Sequence, residues 1–311
     1  MDIMLTIVLL LVGFVLLVKG SDMFVDGSAS VARLMGIPAV IVGLTIVSMG
    51  TSAPEAAVSI TAGIKGSSEI AISNLVGSNT FNMLCVAGLS AAITPFAVDR
   101  LILKRDFPIC IGIMVITMLM SLDGSISRLD GIILLVIFVA YMSLLVYSAI
   151  KNREVDQDEE EKPMSPIKSI IFIVIGIAAI IGGGEIVVNS AQKLAYTFGM
   201  SETLVGVTIV AIGTSLPELV TSVIAAKKGQ SGIAIGNVVG SSIFNLAFVL
   251  GMSSSINAVG VVPEALIDTG IMIAVNLLGF VFCITAKRLA RWEGIALLCI
   301  YAAYTTYLII R

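Results

Sequence analysis

The sequence predicts an all-α integral membrane protein in which ten transmembrane helices form two inverted five-helix repeats. Composition is the first observation: 58% of the 311 residues are hydrophobic and 13% are charged, whereas a soluble domain carries about 25% charged residues. The second observation is a series of long apolar runs, and the third is an internal duplication. Together they favour one membrane-embedded body over soluble domains.

Apolar runs long enough to cross a bilayer as helices, about 17–25 residues each, recur along the whole chain. The ten predicted spans lie near residues 3–20, 38–64, 70–95, 107–122, 130–150, 167–192, 202–226, 233–257, 265–286 and 291–310. Residues 21–37 continue the first span as an amphipathic stretch, so we expect that helix to be long and tilted. The charged segment 151–166 is the expected linker between a first repeat, 1–150, and a second repeat, 167–311.

The distribution of lysine and arginine predicts how the spans are oriented. With the N-terminus outside, 14 of the 18 basic residues fall on the cytoplasmic side and 4 on the outer side. We therefore expect a multi-pass protein of the cell membrane with both termini outside and the linker 151–166 in the cytoplasm. The acidic run in that linker lacks the ligand spacing and central glycine of an EF-hand, so a solvated segment is expected there.

The sequence repeats itself after a shift of 163 residues. Residues 43–82 and 206–245 align without gaps and are identical at 23 of 40 positions. Each half holds five predicted spans, and an odd number makes the second copy enter the membrane from the opposite side. Inverted repeats of this kind are typical of secondary transporters, which bind their substrate near the bilayer midplane between the repeats.

Each copy of the repeat places a glutamate inside an apolar span, directly after a proline. The motif reads GTSAPE up to Glu55 and GTSLPE up to Glu218. A carboxylate at the bilayer centre is costly unless it faces a partner or a water-filled cavity, so two equivalent glutamates indicate one shared site. Pro54 and Pro217 lack an N–H and break the helix there, which frees carbonyl oxygens that can line the cavity.

Around the two glutamates the repeats supply further side-chain and backbone oxygens. Asn82 and Asn245 each follow their glutamate by 27 residues and offer amide oxygens. The hydroxyl candidates are Thr51, Ser52, Ser78, Thr214, Ser215 and Ser241, and the carbonyl candidates are those of Ser48 and Ala211. Gly77 and Gly240 are expected to allow close helix contact beside them.

An all-oxygen donor set predicts a hard cation as the ligand. Ca²⁺ takes about 6–8 oxygens in flexible geometry, and two carboxylates balance its charge. The same charge could hold Na⁺, whereas Mg²⁺ is disfavoured because it keeps its waters and requires octahedral geometry. The chain has no histidine and its four cysteines are isolated, which argues against transition metals and against a serine hydrolase.

The doubled motifs GTSxPE and GSxxFN resemble those of the cation/Ca²⁺ exchanger superfamily, and in particular its prokaryotic Na⁺/Ca²⁺ exchanger branch. The resemblance covers nearly the whole chain. It implies that Glu55, Asn82, Glu218 and Asn245 form a central diamond of ligands, completed by the hydroxyl and carbonyl groups named above. It also implies that the first and sixth helices slide against a bundle that holds the site, a movement for which Gly20 and the run Gly182–Gly184 are suited.

The function expected from this resemblance is secondary active antiport of Ca²⁺ against Na⁺ by alternating access. Asn245 departs from the aspartate of several family members and leaves two formal carboxylates, which weakens the case for K⁺-dependent exchange. A Ca²⁺/H⁺ or K⁺-dependent antiporter remains the alternative, and a cation channel is a more distant one. We expect no enzymatic activity, no cofactor beyond the transported ions, no nucleic-acid partner, and a functional monomer in the lipid bilayer.

Overall fold

Helices account for nearly all of the structure, a computed structural model that describes residues 3–65, 68–151, 163–200 and 211–310. The first half contains α1 (Ile3–Met35), α2 (Ala39–Thr51), α3 (Ala53–Lys65), α4 (Ser68–Phe81, continued as a π-helix over Asn82–Ala87 and an α-helix over Gly88–Ile93), α5 (Ile102–Asp123) and α6 (Arg128–Lys151). The second half contains α7 (Pro166–Thr197), α8 (Ala211–Thr214), α9 (Leu216–Lys227), α10 (Ser231–Ile256), α11 (Pro263–Ala286) and α12 (Arg291–Ile310).

Eight of the described helices are long and apolar enough to span a membrane, and the bent pair α2–α3 would be a ninth span. Residues 201–210, the start of the seventh predicted span, and 152–162, most of the predicted linker, lie outside the described part of the chain. The described helices agree with the predicted multi-pass membrane architecture, and the count of ten spans in two inverted repeats stays a prediction.

Two helices form the centre of the molecule. In α10, 94% of the most apolar 18-residue stretch is buried, and in α4 the corresponding share is 72%. In α1, α6, α7 and α12 it is between 22% and 28%, so these helices surround the centre and turn most of their apolar side chains outward. Such exposure suits side chains that face lipid, because lipid tails are as apolar as leucine.

Both proline motifs lie at helix breaks, as the sequence predicts. The axis bends by 55° between α2 and α3, where Ser52 leaves helical geometry with φ −82° and ψ 10°. Pro54 has no N–H to donate to the carbonyl of the residue four positions earlier, so the hydrogen-bond ladder is interrupted at this point. The break between α8 and α9 falls at Ser215, the residue that corresponds to Ser52 after the 163-residue shift.

The long helices α1 and α7 pack against each other through small residues spaced by seven. Gly20 lies against Gly176, so a Cβ atom added at Gly20 would be 3.0 Å from the Gly176 carbonyl oxygen. Gly13 lies in the same way against Gly183, and Gly27 against the Ser169 carbonyl. Because the paired numbers rise on one helix and fall on the other, the two helices run antiparallel with their backbones in contact.

Two short β-ribbons join the halves, a feature absent from the all-α expectation. The strands are β1 (Phe96–Ala97), β2 (Ser125–Ile126), β3 (Val259–Gly260) and β4 (Arg288–Leu289), and β1 pairs with β4 as β2 pairs with β3. The 163-residue shift converts one ribbon into the other: Phe96 corresponds to Val259, and Ile126 corresponds to Leu289. The pair Phe96↔Leu289 is therefore the repeat equivalent of the pair Ile126↔Val259. These strands form where loops from the two halves meet. A strand of two residues is too short to show the alternation of apolar and polar residues by which strands are predicted.

The ends of several helices differ from their predicted positions. The fourth span begins at Ile102 instead of residue 107, and the sixth ends at Thr197 instead of 192. The first span and its amphipathic continuation form a single helix of 33 residues. The cysteines are free thiols, three of them buried, as their isolated positions predict.

Candidate cation-binding site

The helix breaks place Glu55 and Glu218 in the first turns of α3 and α9. Both glutamates have 0% of their surface exposed. A helix N-terminus presents unpaired N–H groups and a positive end of the helix dipole, which stabilises a carboxylate there. The break therefore both delivers each carboxylate to the interior and reduces the cost of keeping it charged.

The two halves of the site are joined by a pair of crossed hydrogen bonds. Ser52 Oγ, in the first break, donates to Glu218 Oε1 at 2.7 Å. Ser215 Oγ, in the second break, donates to Glu55 Oε1 at 2.9 Å. Each break thus holds the carboxylate of the other repeat, and the two acids belong to one site.

Helices α4 and α10 add hydroxyl and amide groups to this site. Ser78 Oγ donates to Glu55 Oε1 at 3.4 Å and lies 3.2 Å from Ser215 Oγ. Asn245 Nδ2 donates to Ser78 Oγ at 3.3 Å. Asn82 and Asn245 both lie in π-helical segments of their helices, a distortion that is frequent at functional sites.

A third amide, that of Asn237, connects the first break to the backbone of Glu218. Thr51 Oγ1 donates to Asn237 Oδ1 at 2.9 Å, and Ser241 Oγ lies 3.5 Å from the same atom. Asn237 Nδ2 donates in turn to the Glu218 carbonyl at 3.3 Å and to Ser222 Oγ at 2.9 Å. Asn237 therefore fixes the backbone that carries Glu218.

Several buried oxygen atoms at the site accept or donate no hydrogen bond among the described residues. They are Glu55 Oε2, Glu218 Oε2, Asn82 Oδ1, Asn245 Oδ1 and Thr214 Oγ1. Buried polar atoms are almost always hydrogen-bonded, so a cluster of unpaired oxygens needs an explanation. Carboxylate, amide and hydroxyl oxygens together form the donor set that Ca²⁺ and similar hard cations prefer.

The structure connects most of the twelve predicted ligands through the contacts above. Asn82 is fully buried, but neither of its amide atoms forms a hydrogen bond with a described residue. The Ser48 carbonyl, expected to be freed by the break, accepts the Ser52 N–H at 3.0 Å and lies 3.4 Å from Ser241 Oγ. The carbonyl that loses a donor at Pro54 is the one four residues earlier, at Gly50. Ala211 begins α8, and the role of its carbonyl stays a prediction.

The sequence analysis missed a set of buried polar residues behind the predicted ligands. They are the buried Ser59, Asn79, Ser222 and Asn237 and the partly buried Asn74. The contact of Asn74 Nδ2 with Ser59 Oγ at 3.0 Å repeats that of Asn237 with Ser222. The signal was available in the sequence, because both of these pairs are identical between the two repeats.

Close packing beside the site agrees in part with expectation. A Cβ at Gly240 would lie 2.8 Å from Leu44 Cα and from Ser48 Oγ, so α10 and α2 touch there. No described atom lies within 4 Å of the same position at Gly77. Gly20 and Gly183 lie in the α1–α7 contact itself, so they join the two helices instead of facing the bundle. A Cβ at Gly184 would lie 3.7 Å from Pro217 Cγ and 3.9 Å from Leu17 Cδ2.

An ion pair connects α1 to the turn before α10. Lys228 Nζ lies 2.7 Å from Asp22 Oδ1 and 2.5 Å from Asp26 Oδ1. Partial burial lowers the pKa of Lys228, but the hydrogen bonds and charges of the two carboxylates outweigh it and raise that pKa above its ordinary value. The two acids are more than 40% exposed, so water screens the pair and its contribution to stability is small.

Comparison with known proteins places this architecture in a family. The family described as "Sodium/calcium exchanger protein" matches the chain twice, over residues 5–147 and 168–310. The two matches begin 163 residues apart and end 163 residues apart, so they coincide with the internal duplication.

Relatives match over almost the full chain. The putative antiporter CaxA of Alkalimonas amylolytica is 38% identical, covering 96% of either chain. The sodium/calcium exchanger MaX1 of Methanosarcina acetivorans is 33% identical, covering 96% of this chain and 97% of MaX1. A solved structure of the sodium-calcium exchanger NCX_Mj, soaked with zero Na⁺ and Ca²⁺, superposes with a TM-score of 0.87 at 31% identity and covers 99% of this chain and 100% of that one.

The fold and the family match define a membrane transporter of the cation-exchanger class. The chain belongs to the sodium/calcium exchanger family, in the prokaryotic branch of the cation/Ca²⁺ exchanger superfamily.

Proposed function

We propose that this protein is a secondary active antiporter that exchanges Ca²⁺ for Na⁺ across the cell membrane by alternating access. The observation that carries the proposal is the crossed pair of hydrogen bonds, Ser52 to Glu218 and Ser215 to Glu55. It joins two buried carboxylates from equivalent helix breaks into one oxygen-lined site. Two carboxylates match the charge of one Ca²⁺ and also suit Na⁺, so the two ions can compete for the site.

The proposed architecture is ten spans in two inverted five-helix repeats, with both termini outside and the linker 151–166 in the cytoplasm. Support comes from contacts that exchange under the 163-residue shift: the two ribbons, the crossed serines and the antiparallel α1–α7 pair. In inverted repeats, two alternative packings of equivalent elements around one site produce the inward- and outward-facing states. We further propose that a monomer is sufficient, because groups from both repeats of one chain meet at the site.

Uptake of radiolabelled Ca²⁺ into proteoliposomes tests the proposal. We expect uptake to require internal Na⁺ and to be lost in Glu55→Gln and Glu218→Gln, because an amide keeps the shape of the carboxylate and removes the charge that balances Ca²⁺. Asp106→Asn is the matched control: Asp106 is also a fully buried acid in a span, but it is bound to Arg105 at 2.8 Å and to Tyr141 at 3.1 Å. We expect the control to retain Na⁺-dependent uptake.

Each alternative has its own result in the same assay. Uptake driven by an outward H⁺ gradient without Na⁺ would assign the protein to proton-coupled exchange, and a requirement for K⁺ would assign it to the K⁺-dependent type. Uptake without any counter-ion would indicate a channel. Ca²⁺ uptake absent under every gradient would refute Ca²⁺ as the transported ion.

A further inference from the structure

The repeat-equivalent amides Asn82 and Asn245 differ in how they are held. Both are fully buried in π-helical segments. Asn245 Nδ2 donates to Asn79 Oδ1 at 3.0 Å and to Ser78 Oγ at 3.3 Å, whereas its Oδ1 has no described partner. Neither amide atom of Asn82 has a described partner. An asparagine binds a cation through its oxygen and repels it with its NH₂ group, so this difference in orientation matters for ion binding.

Asn79 is itself fixed in one orientation. Its Nδ2 donates to the Ser242 carbonyl at 3.1 Å, and the side chain is fully buried. With its NH₂ group engaged there, Asn79 presents Oδ1 to position 245. Asn79 Oδ1 can accept a hydrogen bond from the NH₂ group of Asn245, whereas it would repel the oxygen of Asn245. The chain of bonds from Asn245 through Asn79 to Ser242 therefore has a single direction, and the Asn245 oxygen is left at its free end.

We propose that Asn79 is a positioning residue that makes Asn245 a neutral oxygen ligand of the transported cation. This inference rests on the proposed ion exchange at the Glu55–Glu218 site and assigns a role to a residue outside the predicted ligand set. It also makes position 79 a determinant of site charge. An aspartate at position 245 would place a carboxylate oxygen against Asn79 Oδ1, and the two oxygens would repel each other. Asn79 therefore disfavours a third carboxylate at the site in addition to Glu55 and Glu218.

The direct test is the Ca²⁺ concentration that half-saturates Na⁺-driven uptake in proteoliposomes. Asn79→Leu keeps the approximate volume and removes the closer of the two acceptors of Asn245 Nδ2, leaving only the longer contact with Ser78 Oγ. The Asn245 amide can then turn its NH₂ group toward the site. We expect the half-saturating concentration to rise about tenfold, the effect of one net hydrogen bond, with the maximal rate little changed. Ser242→Ala is the matched control, because Ser242 is the repeat equivalent of Asn79 and its carbonyl is retained. That variant should behave as wild type.

A double-mutant cycle separates positioning from general packing. If Asn79 acts through Asn245, then Asn79→Leu has no further effect on half-saturation once Asn245→Ala is present. Additive effects, or a loss of maximal rate with unchanged half-saturation, would overturn the inference. If Asn79→Leu does not fold, as judged by its melting in detergent, Asn79→Ala replaces it in the cycle, since it also removes the acceptor.

The same measurements separate this inference from the proposed function. If wild type and Ser242→Ala both lack Na⁺-dependent Ca²⁺ uptake, the proposed function fails, and the role of Asn79 fails with it. If wild type exchanges the two ions and Asn79→Leu has the same half-saturating Ca²⁺ concentration, the proposed function stands and the role assigned to Asn79 is wrong.

Discussion

Replacing Gly183 with alanine tests whether the backbone contact between α1 and α7 holds these helices together. A Cβ at position 183 would lie 2.9 Å from the Gly13 carbonyl oxygen, from Leu16 Cβ and from Leu17 N. Two of these three atoms belong to the backbone, which cannot rotate away. The neighbouring Gly182 provides the control, because no described atom lies within 4 Å of the corresponding position there.

The expected magnitude follows from the overlap. Non-bonded carbon atoms attract best at about 3.5–4.0 Å, so the two helices must separate by about 0.5–1 Å to accept the methyl group. Overpacking of this kind costs about 1–3 kcal/mol. Alanine favours a helix over glycine by about 1 kcal/mol, but that gain is common to both variants and cancels in their comparison. We therefore expect Gly183→Ala to be about 1–3 kcal/mol less stable than Gly182→Ala.

Thermal unfolding in detergent and Na⁺-driven Ca²⁺ uptake are the two measurements. Gly182→Ala should melt at or above the wild-type temperature and transport normally, whereas Gly183→Ala should melt lower and exchange more slowly, because a loosened pair no longer moves as one body. Equal melting temperatures and equal rates for the two variants would refute the reasoning that the α1–α7 contact is tight and rigid.

Two further predictions concern the buried acids. Ser52→Ala should raise the half-saturating Ca²⁺ concentration for uptake by about 10- to 100-fold, the effect of one hydrogen bond to a charged group. Ser215→Ala should have the smaller effect, because Glu55 keeps Ser78 as a donor. A larger effect of Ser215→Ala than of Ser52→Ala in uptake assays would contradict this. Asp106→Asn should lower the free energy of unfolding by about 1.5–3 kcal/mol, because it weakens the ion pair with Arg105. It should leave the half-saturating Ca²⁺ concentration unchanged. A rise in that concentration would instead place Asp106 on the ion path.

Much of the fold could be predicted because the membrane constrains it. A spanning segment must satisfy its backbone internally, so long apolar runs become helices, and their ends follow from charged and capping residues. Ser165 and Pro166 illustrate this, since α7 begins there with Ser165 as its N-cap. The two β-ribbons could not be predicted, because each strand has two residues and its partner lies in the other half of the chain.

The sequence predicts the candidate site as a set of residues but not as a network. Duplication identified Glu55 and Glu218 as equivalent, and the cost of a buried charge identified them as partners in one site. That Ser52 binds the glutamate of the opposite repeat, and not Glu55 nearby in sequence, depends on how the two breaks pack face to face. Sequence spacing carries no information about contacts between helices that are more than 160 residues apart.

The sequence by itself determined the membrane class, the duplication and the oxygen chemistry of the site, because each of these depends on residue type and period. Tertiary structure alone decided the direction of the hydrogen bonds within the site. Asn82 and Asn245 are equivalent in sequence, yet only Asn245 has an amide held by Asn79 among the described contacts. The physical reason is that the oxygen and the NH₂ group of an amide are similar in size and shape. The neighbours that packing brings to one of these groups decide which group faces the site.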